Sequence, residues 1–570
     1  MHMLRYNTLQ FLFVLTSLVA GAQLKYYAEP LKIPVSLSGN FGELRSDHFH
    51  MGLDFRTERR TGIPVHASAE GFVSRIAVSP GGYGLALYVD HPNNTTTVYG
   101  HLLKFRKDIE EYVKAEQYKR HSFSVDLSLL PGVFPVQRME MIGYSGNSGS
   151  SGGPHLHYEI RNTPTQDALN PLHINNFTVA DQTAPRIASV QFYPLDNQSH
   201  VEGTNFRKRY TPVAAGGRYT LSQDKAVRAF GRIGIAVKAN DFFDGNQSPC
   251  GIFSARLLIE KQEVFSFTLG RIPYSLNRYL NSHIDYEEYI ENNERFHKLW
   301  LDPGNRLNVY NTDSQRGILQ IDSGKIYRGE IILSDVKGNT SRFNFRINGD
   351  FVPVAPLQPM PENLFMMEAP NEYLQPGFEL RTPSGAFYKD FDFQYRSFED
   401  SSAFFSPVHQ VHQSTTPVHK SLQMKIKTDL LPDSLTQKAI VVSLDESGKM
   451  RYAGGKYREG WMETSIRNFG NYAVGVDTIP PEIVPLTLKN NALTEAGEIR
   501  FRITDELSGI SGYRGMINGE WVLFEYDPKY SRLTYRIDTG RIGSGKRHTL
   551  ELKVTDQVNN ESVFHATFWK

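Results

Sequence analysis

Cysteine is nearly absent: Cys250 is the single thiol in 570 residues. One thiol forms no intrachain disulfide and builds no cysteine-based metal site, so any zinc must be held by histidine and carboxylate. An excess of one charge is missing too, with 62 Lys and Arg against 61 Asp and Glu. That balance excludes a general nucleic-acid binder, which carries a strong basic excess. Long apolar runs are scarce. "LQFLFVLTSLV" at residues 9–19 is short for a membrane span. It follows Arg5 and ends at Ala20, Gly21 and Ala22, a small-residue cleavage site. These parts read as a signal peptide over residues 1–22, with a mature chain from Gln23. No cysteine follows the site, which argues against a lipid anchor, and no later run is long enough to span a bilayer. The expectation is export without a transmembrane segment in the mature chain: periplasmic, cell-envelope associated or secreted.

What is present suits packed cores. Apolar residues make up 40% and aromatic ones 12%, enough for about three to five domains at this length. Residues 30–175 are rich in glycine and short β-type runs. "GFVSRIAV" and "GLALYVDH", joined by "SPGGYG", read as a hairpin. "KDIEEYVKAEQYKR" at 107–120 has i, i+4 charges and few breakers, and predicts the one good helix there. Further on, "DQTAPRI" and "DTIPPEI" share D-x-x-x-P-x-I. Each is followed by a loop aspartate, Asp241 or Asp505, and by a closing pair that aligns Asp335 with Asp556 and Ser341 with Ser562. Matching start, middle and end signals predict a repeated Ig-like β module at 181–350 and 477–570. Their aspartates read as turn caps rather than calcium ligands, because no D-x-D-x-D-G loop is present. A proline-rich linker is expected at 351–361 and a further β-rich domain at 362–476.

Histidines carry the chemistry. In "HFHMGLDF" an extended backbone puts His50, Gly52 and Asp54 on one face, with Gly52 leaving room between imidazole and carboxylate. A converging His and Asp are half of a zinc site, although H-x-x-x-D alone is common by chance. In "SGGPHLHYEI" His155 and His157 share a strand face. Alone, that pair fits two metal ligands, a base beside a ligand, or two surface histidines. Added to His50 and Asp54, one imidazole of the pair completes three protein ligands with an open fourth position, the catalytic pattern. A further histidine, His101, stands in "VYGHLLKF".

Together and in this order, these three motifs resemble the M23 family of zinc metallopeptidases, the LytM/lysostaphin-type peptidoglycan endopeptidases. The likeness covers about residues 38–175. It implies that His50, Asp54 and His157 bind Zn²⁺. It also implies that His101 and His155 are the unligated catalytic pair, one acting on the water and the other on the oxyanion or leaving amine. The implied substrate is an amide in the stem-peptide cross-links of peptidoglycan. Some relatives carry a blocking pro-segment with an Asn ligand. Asn40 lies just upstream, but the stretch before the domain is too short for a pro-domain, so no block is expected.

The expected fold is mainly β: a small antiparallel β peptidase domain at 23–180, with an insertion at about 104–140, followed by Ig-like β-sandwich modules. The insertion is expected to form a wall or flap at one end of the cleft. His48, His66 and His91 read as structural or rim residues, and His409, His412 and His419 match no zinc spacing. "GSSGG" around Ser151 matches the serine-hydrolase elbow in letters, but a proline and a strand follow where that elbow needs a helix. Two other functions fit the same chain. One is a catalytically silent regulator of another cell-wall hydrolase. The other is an envelope adhesion or binding β-repeat protein. Peptidoglycan is the expected partner, together with an envelope protein bound through the C-terminal modules.

Overall fold

Strict apolar-polar alternation builds the N-terminal unit as a sheet with two different faces. In the computed structural model, which describes residues 25–570 except 176, 216–217, 223–224, 355–361, 400–403 and 495, its strands are β1 (Leu37–Gly39), β2 (Leu53–Arg56), β3 (Pro64–His66), β4 (Gly71–Val78), β5 (Leu85–His91), β6 (Thr95–Gly100), β7 (Leu102–Phe105), β8 (Val125–Ser128), β9 (Pro135–Val136), β10 (Met141–Ser145), β11 (His155–Asn162) and β12 (Ala168–Leu169). The expected signal segment at 1–22 lies outside the described residues, as does the proline-rich linker from 355 onward. Among the described residues, no helix is long and apolar enough to cross a membrane.

The main sheet runs in the order β1-β2-β11-β6-β5-β4-β8, and a small sheet β3-β10-β7 lies beside it. Leu53 and Phe55 of β2, Tyr99 of β6, and Leu156, Tyr158 and Ile160 of β11 point into one buried core with Val65, Leu102 and Ile142 of the small sheet. The intervening residues, Asp54 on β2 and His155, His157, Glu159 and Arg161 on β11, are thereby committed to the other face. Helix α1 (Lys107–Arg120) spans the predicted segment and buries Ile109, Val113 and Gln117. Its chain continues into β8 and β9, which both pair with β4. The insertion thus extends the sheet at the edge away from β1 and β2.

The rest of the chain is β as well. Residues 186–349 form a large sheet system around the long strand Val227–Asn240. Residues 371–476 form two five-stranded sheets over one core, and residues 482–569 a four-stranded and a five-stranded sheet over another. The N-terminal unit is fused to the 186–349 sheets. Phe41, Phe49 and Met51 are buried in the core of those sheets. Asn277 accepts from Phe49 N at 2.7 Å, and β12 pairs with Arg271–Ile272. The site face of the main sheet is therefore covered by a different part of the chain.

Candidate metal centre

Register sets the first contact. Asp54 and His157 are cross-strand partners of β2 and β11, and His157 faces Gly100 on the other side. His50 comes from the loop before β2, where its backbone exchanges two hydrogen bonds with Gly42 and Glu43. The result is a triangle of three buried ligand atoms. His50 Nε2 is 3.0 Å from Asp54 Oδ1, His157 Nδ1 is 3.0 Å from the same oxygen, and the two nitrogens are 3.1 Å apart. Ligands held about 2.0–2.1 Å from a tetrahedral zinc lie roughly 3.3 Å apart, so the triangle is close to the edge length such an ion needs.

The outer hydrogen bonds fix which nitrogen faces inward. His50 Nδ1 donates to Asn40 O at 2.7 Å, and His157 Nε2 donates to Glu159 Oε1 at 2.8 Å. Each imidazole thus turns its other nitrogen toward Asp54, where it can carry a proton or bind a metal. Arg45 holds the second oxygen of Asp54 at 2.9 Å. Three acceptors converging in a buried space call for positive charge. Protonation answers that call in part. Burial opposes a charge on His157, but the carboxylates of Asp54 and Glu159 outweigh it and push its pKa up to about 9. Burial would likewise raise Asp54, yet His50, His155 and His157 hold it well below the usual carboxylate range. Two imidazoles and one carboxylate are also a donor set that suits zinc, and no further protein atom is needed to complete a three-ligand site.

His101 and His155 flank the triangle. His101 follows β6 with a left-handed φ of 58°, which swings its ring toward β11. Its Nδ1 donates to Ser148 O at 2.8 Å, and that of His155 donates to Gly153 O at 2.8 Å. Both rings are anchored by the glycine-serine loop and turn Nε2 away from it. They lie 4.8 Å apart, and His155 Nε2 is 3.4 Å from Asp54 Oδ1. Burial and the neighbouring His157 and His155 lower the pKa of His101 to about 3, so it is a neutral base.

All five sequence-predicted residues thus meet at one place. His48 is elsewhere, exposed and paired with Asp47. The side chain of Asn40 is engaged by both backbone groups of Gly251. His409, His412 and His419 are separately bonded to Tyr395, Thr416 and Tyr388. Gly52 has a different reason than expected. A Cβ there would lie 2.4 Å from Tyr158 O, so the glycine admits the β11 backbone rather than spacing His50 from Asp54.

Sequence reasoning missed the supporting shell. Arg161 Nε donates to Glu159 Oε2 at 2.6 Å, and Tyr83 donates to Glu159 Oε1. Tyr274, which opens a short 3₁₀ helix within residues 186–349, donates to Glu159 Oε2 at 2.7 Å and accepts from Arg161 at 2.8 Å. Alternation along β11 already places Glu159 and Arg161 beside His157, so those two were accessible to reasoning from sequence; Tyr274 was not. The C-terminal sheets reach the same neighbourhood. Lys529 donates to Asn147 O and Ser151 O of the anchoring loop. Trp521 stacks on His121, and Asp538 pairs with Lys114 of α1 at 2.7 Å.

A buried two-histidine, one-carboxylate triangle with two free imidazoles on a small antiparallel sheet defines a metallopeptidase type of site. Residues 48–118 match the family model of peptidase family M23. The matched segment includes His50, Asp54 and His101 and ends before the H-x-H pair. Residues 362–477 match a Zu5-like domain. An uncharacterized metalloprotease of Haemophilus influenzae is 36% identical over 125 residues, 22% of this chain and 21% of that protein. The DD-carboxypeptidase/endopeptidase Mpg of Neisseria meningitidis is 32% identical over 163 residues, 27% of this chain and 31% of that protein. The chain thus spans between a fifth and a third of the length of these curated relatives. Among solved structures, the catalytic domain of the prophage-encoded M23 protein EnpA from Enterococcus faecalis is 26% identical, with a TM-score of 0.20 over 25% of this chain and 95% of that one.

Proposed function

We propose that the chain is an exported, zinc-dependent endopeptidase that hydrolyses amide bonds in the stem-peptide cross-links of peptidoglycan. The observation that carries this reading is the triangle of His50 Nε2, Asp54 Oδ1 and His157 Nδ1, with His101 and His155 beside it. Zinc bound by His50, Asp54 and His157 would supply the Lewis acidity that amide hydrolysis needs. The protein's own part is proton handling and order. His101 and His155, each fixed by a backbone carbonyl at Nδ1, present Nε2 atoms that can take a proton from the attacking water and, once protonated, deliver one to the leaving amine. Glu159 keeps His157 in the tautomer with Nδ1 free.

The relative named as a DD-carboxypeptidase/endopeptidase supports a cross-linked peptide substrate, and such a substrate places the enzyme outside the cytoplasm. The test is digestion of purified sacculi by the full chain, with product masses measured with and without chelator. Loss of cross-linked dimers and gain of monomers, abolished by chelation, is the expected result. Intact sacculi together with activation of a separate amidase would favour the silent-regulator reading instead.

A further inference from the structure

The aspartates of the two β modules, which read from sequence as turn caps, come together in space. Asp181, Asp241 and Asp335 each direct a carboxylate oxygen to within 4.8 Å of the others, and Asp477, Asp505 and Asp556 do the same in the C-terminal module. Turn capping accounts for only part of each set. Asp335 Oδ1 accepts from the amides of Lys337 and Asn339, and its Oδ2 accepts from Asn339 Nδ2 at 2.6 Å. Asp556 repeats this with Val558, Asn560 and Asn560 Nδ2 at 2.6 Å. In both modules the same asparagine also donates to the entry aspartate, Asp181 O at 3.2 Å and Asp477 O at 2.8 Å. Two separate modules therefore build one scaffold.

The oxygens that capping leaves over are the telling ones. Asp241 is only 1% exposed, and its Oδ1 has no hydrogen-bond partner. Asp181 Oδ2 and Asp505 Oδ2 are also enclosed and unpartnered, on residues that are themselves partly buried. A buried carboxylate oxygen with no donor, facing two further carboxylates, is costly unless a cation joins them. Lys337, in the same turn as Asp335, donates to Phe177 O at 3.4 Å and lies within electrostatic reach of Asp181 and Asp335.

We propose that each triad is a binding site for a divalent cation of the calcium class, one at each module entry. The all-oxygen, all-carboxylate donor set suits a hard cation, and rigid convergence without a histidine disfavours zinc. Each site lies at a junction. Asp181 follows the N-terminal unit, and Asp244 N bonds Ala180 O across that boundary at 3.2 Å. Asp477 closes the 371–476 sheets, and Lys438 of those sheets bonds Val558 O at 3.0 Å. A cation at the first junction stiffens the connection between the N-terminal unit and the 186–349 unit, which carries Tyr274.

The test uses the full-length chain, stripped of metal, reloaded with one equivalent of zinc and titrated with calcium chloride by calorimetry, with thermal unfolding in parallel. The wild type is expected to take two calcium ions and to melt several degrees higher. Asp241→Asn and Asp505→Asn are each expected to take one, and the double variant none. Because the two substitutions lie in different modules, misfolding of one variant leaves the other and the wild type to decide. A wild type that takes up no calcium at about 1 mM, the weak end for extracellular modules, overturns the proposal. So does calcium binding that survives the double substitution, and equal uptake of magnesium overturns the calcium assignment.

Discussion

Tyr274 and Glu159 lie 115 residues apart in sequence and 2.7 Å apart in space, hydroxyl to carboxylate. Glu159 in turn holds His157 at 2.8 Å. The orientation of a proposed metal ligand on β11 therefore depends on a side chain from outside the N-terminal unit. Conservative loss of that hydroxyl, Tyr274→Phe, is expected to weaken zinc binding by about ten-fold, the lower end for outer-shell partners of metal-bound histidine. Competition with a chromogenic chelator measures this. The melting temperature is expected to move little, because the ring still stacks on Arg161 at 4.2 Å.

Removing everything after about residue 180 takes away more than one hydroxyl. Phe41, Phe49 and Met51 lose the core that buries them. Each large apolar side chain returned to water costs about 1.5–3 kcal/mol. The truncated unit is expected to aggregate or to melt well below the full chain, as read by light scattering and thermal unfolding. A soluble fragment with full-chain stability would show that the fused core is dispensable.

Glu159 sits between the buried Arg161 guanidinium and the His157 imidazole. Glu159→Gln leaves the Arg161 guanidinium without its carboxylate, and breaking one side of a buried ion pair costs about 3–5 kcal/mol. The variant is expected to lose several degrees of melting temperature and 10- to 100-fold in metal affinity. Tyr274→Phe separates from it by losing affinity without stability.

Acid sensitivity is expected from a second histidine pair. His283 Nε2 and His297 Nδ1 are 2.8 Å apart and fully buried, with Tyr310 bonded to His283 and Lys298 adjacent. Burial lowers His297 to about 3, and burial with the nearby His297 and Lys298 lowers His283 well below its ordinary value. A lowered folded-state pKa means that this stability is complete above about 6.5 and is lost as pH falls toward 3. At pH 5 the loss is roughly 2 kcal/mol per imidazole. Melting curves from pH 7.5 to 5 are expected to show it, and His297→Gln should flatten the slope by about half.

Trp521 links the C-terminal sheets to α1 by stacking on His121 and meeting Tyr118 edge-on. Trp521→Ala is expected to raise hydrogen exchange in α1 and in residues 146–153, where Lys529 is anchored. Zinc content should stay unchanged, since the rings that Trp521 meets, Tyr118 and His121, are not among the proposed ligands.

Local pattern explains what could be read in advance. Alternation predicts that His155 and His157 share a face, because strand geometry is fixed over a few residues; His50 does meet Asp54, but from the loop before β2 rather than from an extended strand. Helix α1 was legible to the residue from its i, i+4 charges. The β character of the whole chain followed from its short alternating runs. Long-range placement was not legible. Nothing in the letters around Phe49 shows that it enters the core of residues 186–349, and nothing around Tyr274 points to Glu159. The aspartate triads were visible as an aligned repeat, but their convergence depends on three separated turns meeting. The reason for Gly52 was misread for the same cause: its constraint comes from β11, about a hundred residues later.

The most direct measurement of the central claim is zinc content together with sacculus digestion, for the wild type and His157→Ala. The wild type is expected to hold about one zinc at the His50–Asp54–His157 site and to release cross-linked peptide, with both lost in His157→Ala and digestion abolished by chelator. Wild-type protein that holds no metal and leaves cross-linked sacculi intact, or a His157→Ala variant that still cleaves them, would contradict it.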